Sequence, residues 1–392
     1  MKIFYTCYVN LGEASGGVRH IFEIAEHLKR MGHEVVLFAP ELDPYPFDTS
    51  LEIIYVPVLH MAHLAPLSYA LMSFLYIARY LSKRGASLIY EREIDLSLTS
   101  ALVSWLFGIP LVIEVNAIIA EEHELARSSA VKIKLMEAMQ RIYLKRANRI
   151  VAVTKGIKRE LCEQFSLPPQ KMIVVHNGTN LEVAQPQEKS SCKKALGMDP
   201  SNPCVGFVGR LYSFQGVDYL IKAAPYILEK MPHTMFLIVG DGAERDNLEK
   251  LAESEHVADR FLFFGEVPFQ KVPDFIGACD VCVALKRPLK SGYSPLKLYE
   301  YMACGRPVIA SNLEGFEILS EYEAGCLVEP TDFQGTARQI VELLKDEELQ
   351  ERMGINGRKT SSDFSWKTAA HRVERVCQEV VREWKWGFCY SE

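Results

Sequence analysis

The 392-residue sequence predicts an α/β protein with two successive doubly wound parallel sheets. Three observations predict it. Short apolar runs alternate with helically spaced segments along the chain, the pattern of β-α-β units. A stretch at 181–203, rich in Gln, Glu, Lys, Ser and Pro, interrupts that pattern and reads as a linker. A new strand–loop–helix run then begins, and the length suits two cores.

The elements follow in order. A strand at 3–9 leads into a glycine-containing loop at 10–17. Ile21, Ile24, Ala25 and Leu28 then give a helix its spacing, and Gly32 ends it. EVVLFAP and LEIIYVPV are the next strands, followed by a long apolar helix near 64–81. SLIYER, a helix at about 98–107, PLVIEVN, a helix at 130–147, RIVAVT, a helix from Lys155 and MIVVHNG complete the first half. The expected divisions are a first domain at 1–185, a linker at 186–202 and a second domain at 203–365. PCVGFVGRLYSFQG, FLIVGDG, FLFFGEV, CDVCVAL and SPLKLYEYMACGRPVIAS build the second half. A C-terminal helix at about 366–392 carries Trp366, Trp384 and Trp386, aromatic residues that need a surface to cover; the first domain is the expected one.

Composition narrows the function. Hydrophobic residues are 48% and charged residues 24%, as in soluble globular proteins. The net charge of -6 provides no basic field for nucleic acid, and no zinc-finger or RNA-binding motif appears. Ten cysteines lie without regular spacing, many in apolar runs, such as Cys7, Cys279, Cys282 and Cys304. Buried thiols in a reducing cytoplasm are expected, and the first residues lack signal-peptide architecture. The apolar run at 64–81 contains Pro66 and Arg79, so a buried helix is expected there rather than a membrane span.

Several stretches bear chemistry. In SGGVRH, Gly16 and Gly17 open a helix after a strand, where amides and the helix dipole favour an anion. A tight turn is the plainer alternative. Neither this loop nor GDG at 240–242 has the spacing of a dinucleotide-binding fingerprint. Arg210 follows a strand directly, where its forked guanidinium suits phosphate oxygens; a surface ion pair is the alternative. Ser294 reads as an N-cap and Pro295 as a first helical residue, with Lys297 and Glu300 on neighbouring helical positions. Lys297 and Glu300 either pair with each other, or the carboxylate accepts from two adjacent ribose hydroxyls. Strand alternation puts Glu114 and Asn116 on one face, with His123 in the following segment. No ligand spacing indicates a metal. The helix at 130–147 carries Lys132, Lys134, Arg141, Lys145 and Arg146, and Arg149 follows it. A solvated face is the ordinary reading and an electrostatic foothold on an anionic membrane the sharper one.

Taken in order, SGGVRH, FVGRLYSFQGVDYLIKA, FLIVGDGAERDNLEKLA, FFGEVP, CDVCVAL and SPLKLYEYMACGRPVIAS resemble the retaining glycosyltransferases of family 4, across nearly the whole chain. The resemblance implies the GT-B fold, two Rossmann-like domains facing each other across a cleft. It implies retaining transfer of a hexosyl-type sugar from a nucleoside-diphosphate sugar to a saccharide or lipid-linked acceptor, in polysaccharide or glycolipid synthesis. Domain closure would exclude water from the reaction. By position, Gly16 and Gly17 match the loop near the donor phosphates and acceptor, Arg210 the diphosphate-binding arginine, and Glu300 the ribose-binding carboxylate. Ser294, Pro295 and Leu296 match the helix start facing the diphosphate. The implied catalytic set is Arg210, Glu300 and Asn116, and the implied acceptor set is Glu114, Asn116 and His123.

Three positions depart from the family pattern. Its phosphate-side lysine falls at Gln215, the first acid of its paired-acid motif at Gly292, and a common histidine at Asn116. Lys297, Arg287 or Lys290 is expected to replace the missing charge at Gln215. A nucleotide-sugar epimerase, or a non-catalytic nucleotide-sugar-binding subunit, is the alternative function. No cofactor or metal is expected. The expected location is the cytoplasm, with peripheral contact at the inner face of the membrane as a further expectation.

Overall fold

The computed structural model describes residues 1–13, 15–46, 48–59, 61, 64–94, 97–118, 121 and 129–389. Contacts divide the chain into two compact units. The first contains Met1–Asn177 and Trp366–Glu392, and the second Gly178–Ser365.

In the first unit, β1 (Lys2–Thr6), β2 (Glu34–Pro40), β3 (Glu52–Val56), β4 (Leu88–Arg92), β5 (Leu111–Val115), β6 (Arg149–Ala152) and β7 (Met172–Val174) form a parallel sheet in the order β3-β2-β1-β4-β5-β6-β7. The described helices of this half are α1 (Gly16–Arg30), α2 (Ala65–Arg84), α3 (Thr99–Phe107), α4 (Ala130–Arg146) and α5 (Lys155–Phe165). Strand order reverses between β1 and β4, so ligands are favoured at the carboxyl ends of those strands. Ile77 of α2, Val103 of α3, Leu144 of α4 and Leu161 of α5 share one core with Phe4, Phe38 and Ile113 of the sheet. These helices therefore cover the same sheet face.

The second unit has β8 (Cys204–Val208), β9 (Met235–Val239), β10 (Phe261–Gly265), β11 (Val281–Ala284), β12 (Val308–Ser311) and β13 (Gly325–Val328), ordered β10-β9-β8-β11-β12-β13 and all parallel. Its helices are α6 (Lys189–Ala195), α7 (Val217–Lys230), α8 (Arg245–Ser254), α9 (Val272–Ala278), α10 (Leu296–Ala303), α11 (Ile318–Glu321), α12 (Phe333–Lys345) and α13 (Glu347–Thr360). Its switch point lies between β8 and β11.

Two details differ from the sequence reading. The unit division falls between Asn177 and Gly178, and the polar stretch read as a linker lies within the second unit. Its polar residues hold structure. The Glu188 carboxylate caps α6 by accepting from the Ser190 and Ser191 amides, and buried Lys193 meets Asp280 at 2.8 Å. The apolar helix near 64–81 is only half buried. Tyr69, Ser73, Ile77 and Leu81 face the core, while Leu67, Leu71 and Leu75 face outward.

The last helix, α14 (Trp366–Cys389), packs on α1 in the first unit. His33 Nε2 lies 2.8 Å from Glu374, Arg149 Nη2 lies 2.7 Å from Glu383, and the Trp384 indole N–H donates to the Gly108 carbonyl at 3.1 Å. The Trp366 ring meets His20 edge-on, with centroids 5.0 Å apart. Among the described residues, no helix is long and apolar enough to cross a membrane, and no cluster of His, Cys, Asp or Glu could hold a metal ion.

Candidate functional site

The polar centre of the first unit is Glu114. Parallel register places it directly beside Arg92, and alternation turns Tyr90 to the same side as Arg92. Four side chains supply donors to its carboxylate: Tyr90 at 2.5 Å, Asn116 Nδ2 at 2.8 Å, His20 Nε2 at 2.9 Å and Arg92 Nη1 at 3.1 Å. The residue is 1% exposed. Burial alone would raise its pKa. The His20 ring, the Arg92 guanidinium and the Tyr90 hydroxyl outweigh burial and lower it to about 2. Glu114 is thus a sealed anion that organises its neighbours. Asn116 is half-buried, and His20 Nδ1 lies 2.7 Å from Asn177 Oδ1.

The glycine loop meets this network. Ser15 caps α1 by accepting from the Val18 amide at 3.2 Å, so the helix begins at Gly16. Gly16 and Gly17 do not adopt the left-handed conformation. A Cβ on Gly17 would lie 3.5 Å from Arg92 Nη2, so the missing side chain leaves the guanidinium open on that side. His123 lies outside the described residues. Sequence reasoning missed His20, Tyr90 and Arg92. The signal was the alternation of Tyr90 and Arg92 at the carboxyl end of a strand next to Glu114's strand.

In the second unit, β8 ends at Val208, and Gly209, with φ of 146°, leads to Arg210. Arg210 is about half-exposed and makes a long contact of 3.8 Å to Glu266. A turn at Ser213–Gln215 and Gly216, with φ of 69°, lead into α7. Lys297 reaches back from the first turn of α10 to this loop. Its Nζ donates to Gln215 Oε1 at 2.8 Å and lies 3.7 Å from the centre of the Phe207 ring. Its ammonium is therefore turned towards Gln215 rather than Glu300. A Cβ on Gly209 would come within 2.8 Å of that Nζ, so a larger residue there would push the lysine tip aside.

A second lysine, which sequence reasoning missed, lies nearby. Lys286 follows β11, is buried, and sets its Nζ 4.2 Å from the Tyr293 ring centre and 5.5 Å from that of Phe214. Burial lowers its pKa to about 7. Burial, and then the charge of Lys286, push Lys297 well below the usual lysine range. Among the described residues, neither ammonium has a carboxylate within ion-pair distance. Arg287 is committed elsewhere: it donates to the Ser213 carbonyl at 2.8 Å and to Asp218 at 2.9 Å. Lys290 is exposed. Of the three replacements expected for the charge missing at Gln215, Lys297 makes a direct hydrogen bond to it.

The start of α10 differs by one residue from the sequence reading. Pro295 occupies the cap, Leu296 is the first helical residue, and no side chain caps the helix. The proline's locked φ serves the non-helical cap geometry, which leaves the first amides of α10 without intrahelical acceptors. Tyr301 fastens the helix to β8, accepting from the Val208 amide at 2.8 Å. Tyr299 stacks on Phe364 with centroids 4.8 Å apart. Glu300 is half-buried on the turn after Lys297. Gly292 has φ of 63°, and its Cβ position would lie 3.3 Å from the Cβ and Cγ of Glu314. The Glu314 side chain therefore lies against Gly292.

Residues 14–183 match the family model described as Glycosyltransferase Family 4, and residues 188–360 match that of Glycosyl transferases group 1. An uncharacterized glycosyltransferase of Methanocaldococcus jannaschii is 29% identical over 62% of this chain and 63% of its own length. A D-inositol 3-phosphate glycosyltransferase of Segniliparus rotundus is 28% identical over 69% of this chain and 62% of its own. The chain thus spans about three-fifths of the length of these curated relatives. Among solved structures, sucrose-phosphate synthase of Thermosynechococcus elongatus superposes with a TM-score of 0.80 at 20% identity, covering 98% of this chain and all of its own. With one family model on each half, the chain belongs to the family 4 glycosyltransferases, and its two parallel-sheet units have the GT-B fold.

Proposed function

We propose that the protein transfers a sugar, with retention of anomeric configuration, from a nucleoside-diphosphate sugar to a hydroxyl of a saccharide or lipid-linked acceptor. The observation that carries this reading is the pair of buried lysines, Lys286 and Lys297, with no carboxylate at ion-pair distance among the described residues, beside the uncapped start of α10. Burying an uncompensated charge is costly, so two such groups together call for a ligand that brings its own negative charge. A diphosphate does.

In this reading, Lys297, Lys286, Arg210 and the amides at Leu296 and Lys297 receive the charge that grows on the departing diphosphate. Gln215 holds the Lys297 ammonium, and Ser294 and Pro295 shape the helix entrance. Glu300 accepts hydrogen bonds from the ribose hydroxyls. Three cationic side chains at the diphosphate make a metal unnecessary. In the first unit, Asn116 orients the acceptor, and Glu114 acts through Asn116 and Arg92. Gly16 and Gly17 keep Arg92 accessible. The bond from the anomeric carbon to the phosphate oxygen breaks as that carbon bonds the acceptor oxygen on the same face. The departing phosphate takes the acceptor's proton, so no protein base is needed.

The test is incubation of purified protein with a panel of nucleoside-diphosphate sugars, with and without saccharide and lipid acceptors, followed by NMR of the product. Acceptor-dependent transfer with unchanged anomeric configuration is expected. An inverted product contradicts the retaining mechanism, and donor turnover without acceptor contradicts the transferase.

A further inference from the structure

The outward surface of the first unit has a feature that sugar transfer does not explain. Helices α2, α3 and α4 lie on one sheet face, through the core that they share. Helix α2 packs against α3, and Arg146 of α4 donates to the Ser104 carbonyl of α3 at 3.2 Å. Their inner faces are apolar, as expected. Their outer faces are apolar too.

On α4, Val131, Leu135 and Ile142 follow helical spacing on the solvent side, with Val131 80% exposed. Leu67, Leu71 and Leu75 repeat every four residues along α2, and Leu71 is 65% exposed. Between them, α3 presents Trp105 at 68% exposure, flanked by Leu102 and Leu106. Single exposed apolar residues are ordinary. Stripes on three adjoining helices are not, and an apolar surface of that extent marks an interaction site.

Charge selects the occupant. Helices α2, α3 and α4 contain eight basic residues and one acid, Glu137, in a chain whose net charge is -6. Lys132, Lys134, Arg141 and Lys145 are exposed beside the α4 stripe. A second copy of this face would bring the same excess of positive charge and repel it. A bilayer of anionic lipid supplies both complements, a hydrocarbon boundary for the apolar side chains and negative headgroups for the lysines. We propose that the outer face of α2, α3 and α4 docks on an anionic lipid bilayer. This inference does not depend on the donor chemistry, because vesicles without any sugar test it.

The experiment is flotation of the full chain with vesicles of pure phosphatidylcholine or of phosphatidylcholine mixed with phosphatidylglycerol, at low and high salt. Binding to the mixed vesicles, weakened by salt, is expected. Lys132→Ala combined with Lys134→Ala should lower the partition coefficient about thirtyfold. Leu135→Glu should abolish binding. Both variants should keep the wild-type melting temperature, which separates lost docking from lost folding. Equal binding to both vesicle types overturns the proposal. So does absence of binding, or a concentration-dependent dimer that Leu135→Glu dissociates.

Discussion

Lys297 Nζ donates to Gln215 Oε1 at 2.8 Å, so a lysine from α10 stands beside the position where the family resemblance implies a lysine. The amide orients the amine, burial disfavours its charged form in the free protein, and an incoming anion favours the ammonium. Lys297→Met should therefore weaken binding of a nucleoside diphosphate by about tenfold to a hundredfold, the range for a lost charge-assisted hydrogen bond. Gln215→Lys in that background should recover much of the loss. Calorimetry of the three proteins measures both effects, and unchanged affinity in Lys297→Met removes Lys297 from the site.

Binding should also take up protons. The folded protein holds Lys286 at a pKa of about 7, whereas its ordinary value is 10.5. Between those values the unfolded chain binds the extra proton, so the stability of the ligand-free protein should rise with pH across that window. An incoming diphosphate favours the ammonium and reverses the shift. Calorimetry slightly above neutral pH, in buffers of different protonation enthalpy, should show net uptake that is smaller in Lys286→Met. Uptake equal in both proteins would exclude Lys286 as its source.

Glu114 has the opposite dependence. Its folded pKa of about 2 lies below its ordinary 4.5, so its stabilisation is present above 4.5 and is lost as pH falls towards 2. The difference amounts to roughly 3 kcal/mol at neutral pH. Urea unfolding should find Glu114→Gln destabilised by that order near neutrality, with the gap closing in acid. A gap independent of pH would mean that packing, not charge, is what Glu114 contributes.

Gly216 sets the loop that presents Gln215. At φ of 69°, a Cβ there would overlap the Leu285 carbonyl oxygen at 1.3 Å, whereas at Gly197, with φ of 72°, a Cβ would meet nothing within 4 Å. Gly197→Ala should cost only backbone strain, about 1 kcal/mol. Gly216→Ala should cost at least twice as much. Denaturant midpoints of the two variants measure the difference, and equal costs would mean that the loop relaxes freely around Gly216.

Periodicity made the strands and helices legible, because each helix and each buried strand reports its own face locally. The starts of α1 and α10 were legible because serine, glycine and proline carry specific backbone preferences. What stayed hidden depended on long-range packing. Lys286 and Lys297 are 11 residues apart in sequence, and nothing local says that both ammonium groups are buried near each other. The convergence of His20, Tyr90, Arg92 and Asn116 on Glu114 needs the register of two strands and the placement of a helix. Polar composition misled at 186–202, because caps and a buried ion pair use the same residue types as a linker.

The most direct measurement is a crystal structure with a nucleoside diphosphate bound. The expected result is the diphosphate against the first amides of α10 and the Lys297 ammonium, with both ribose hydroxyls on Glu300. A nucleotide held away from α10, or none bound at saturating concentration, would contradict it.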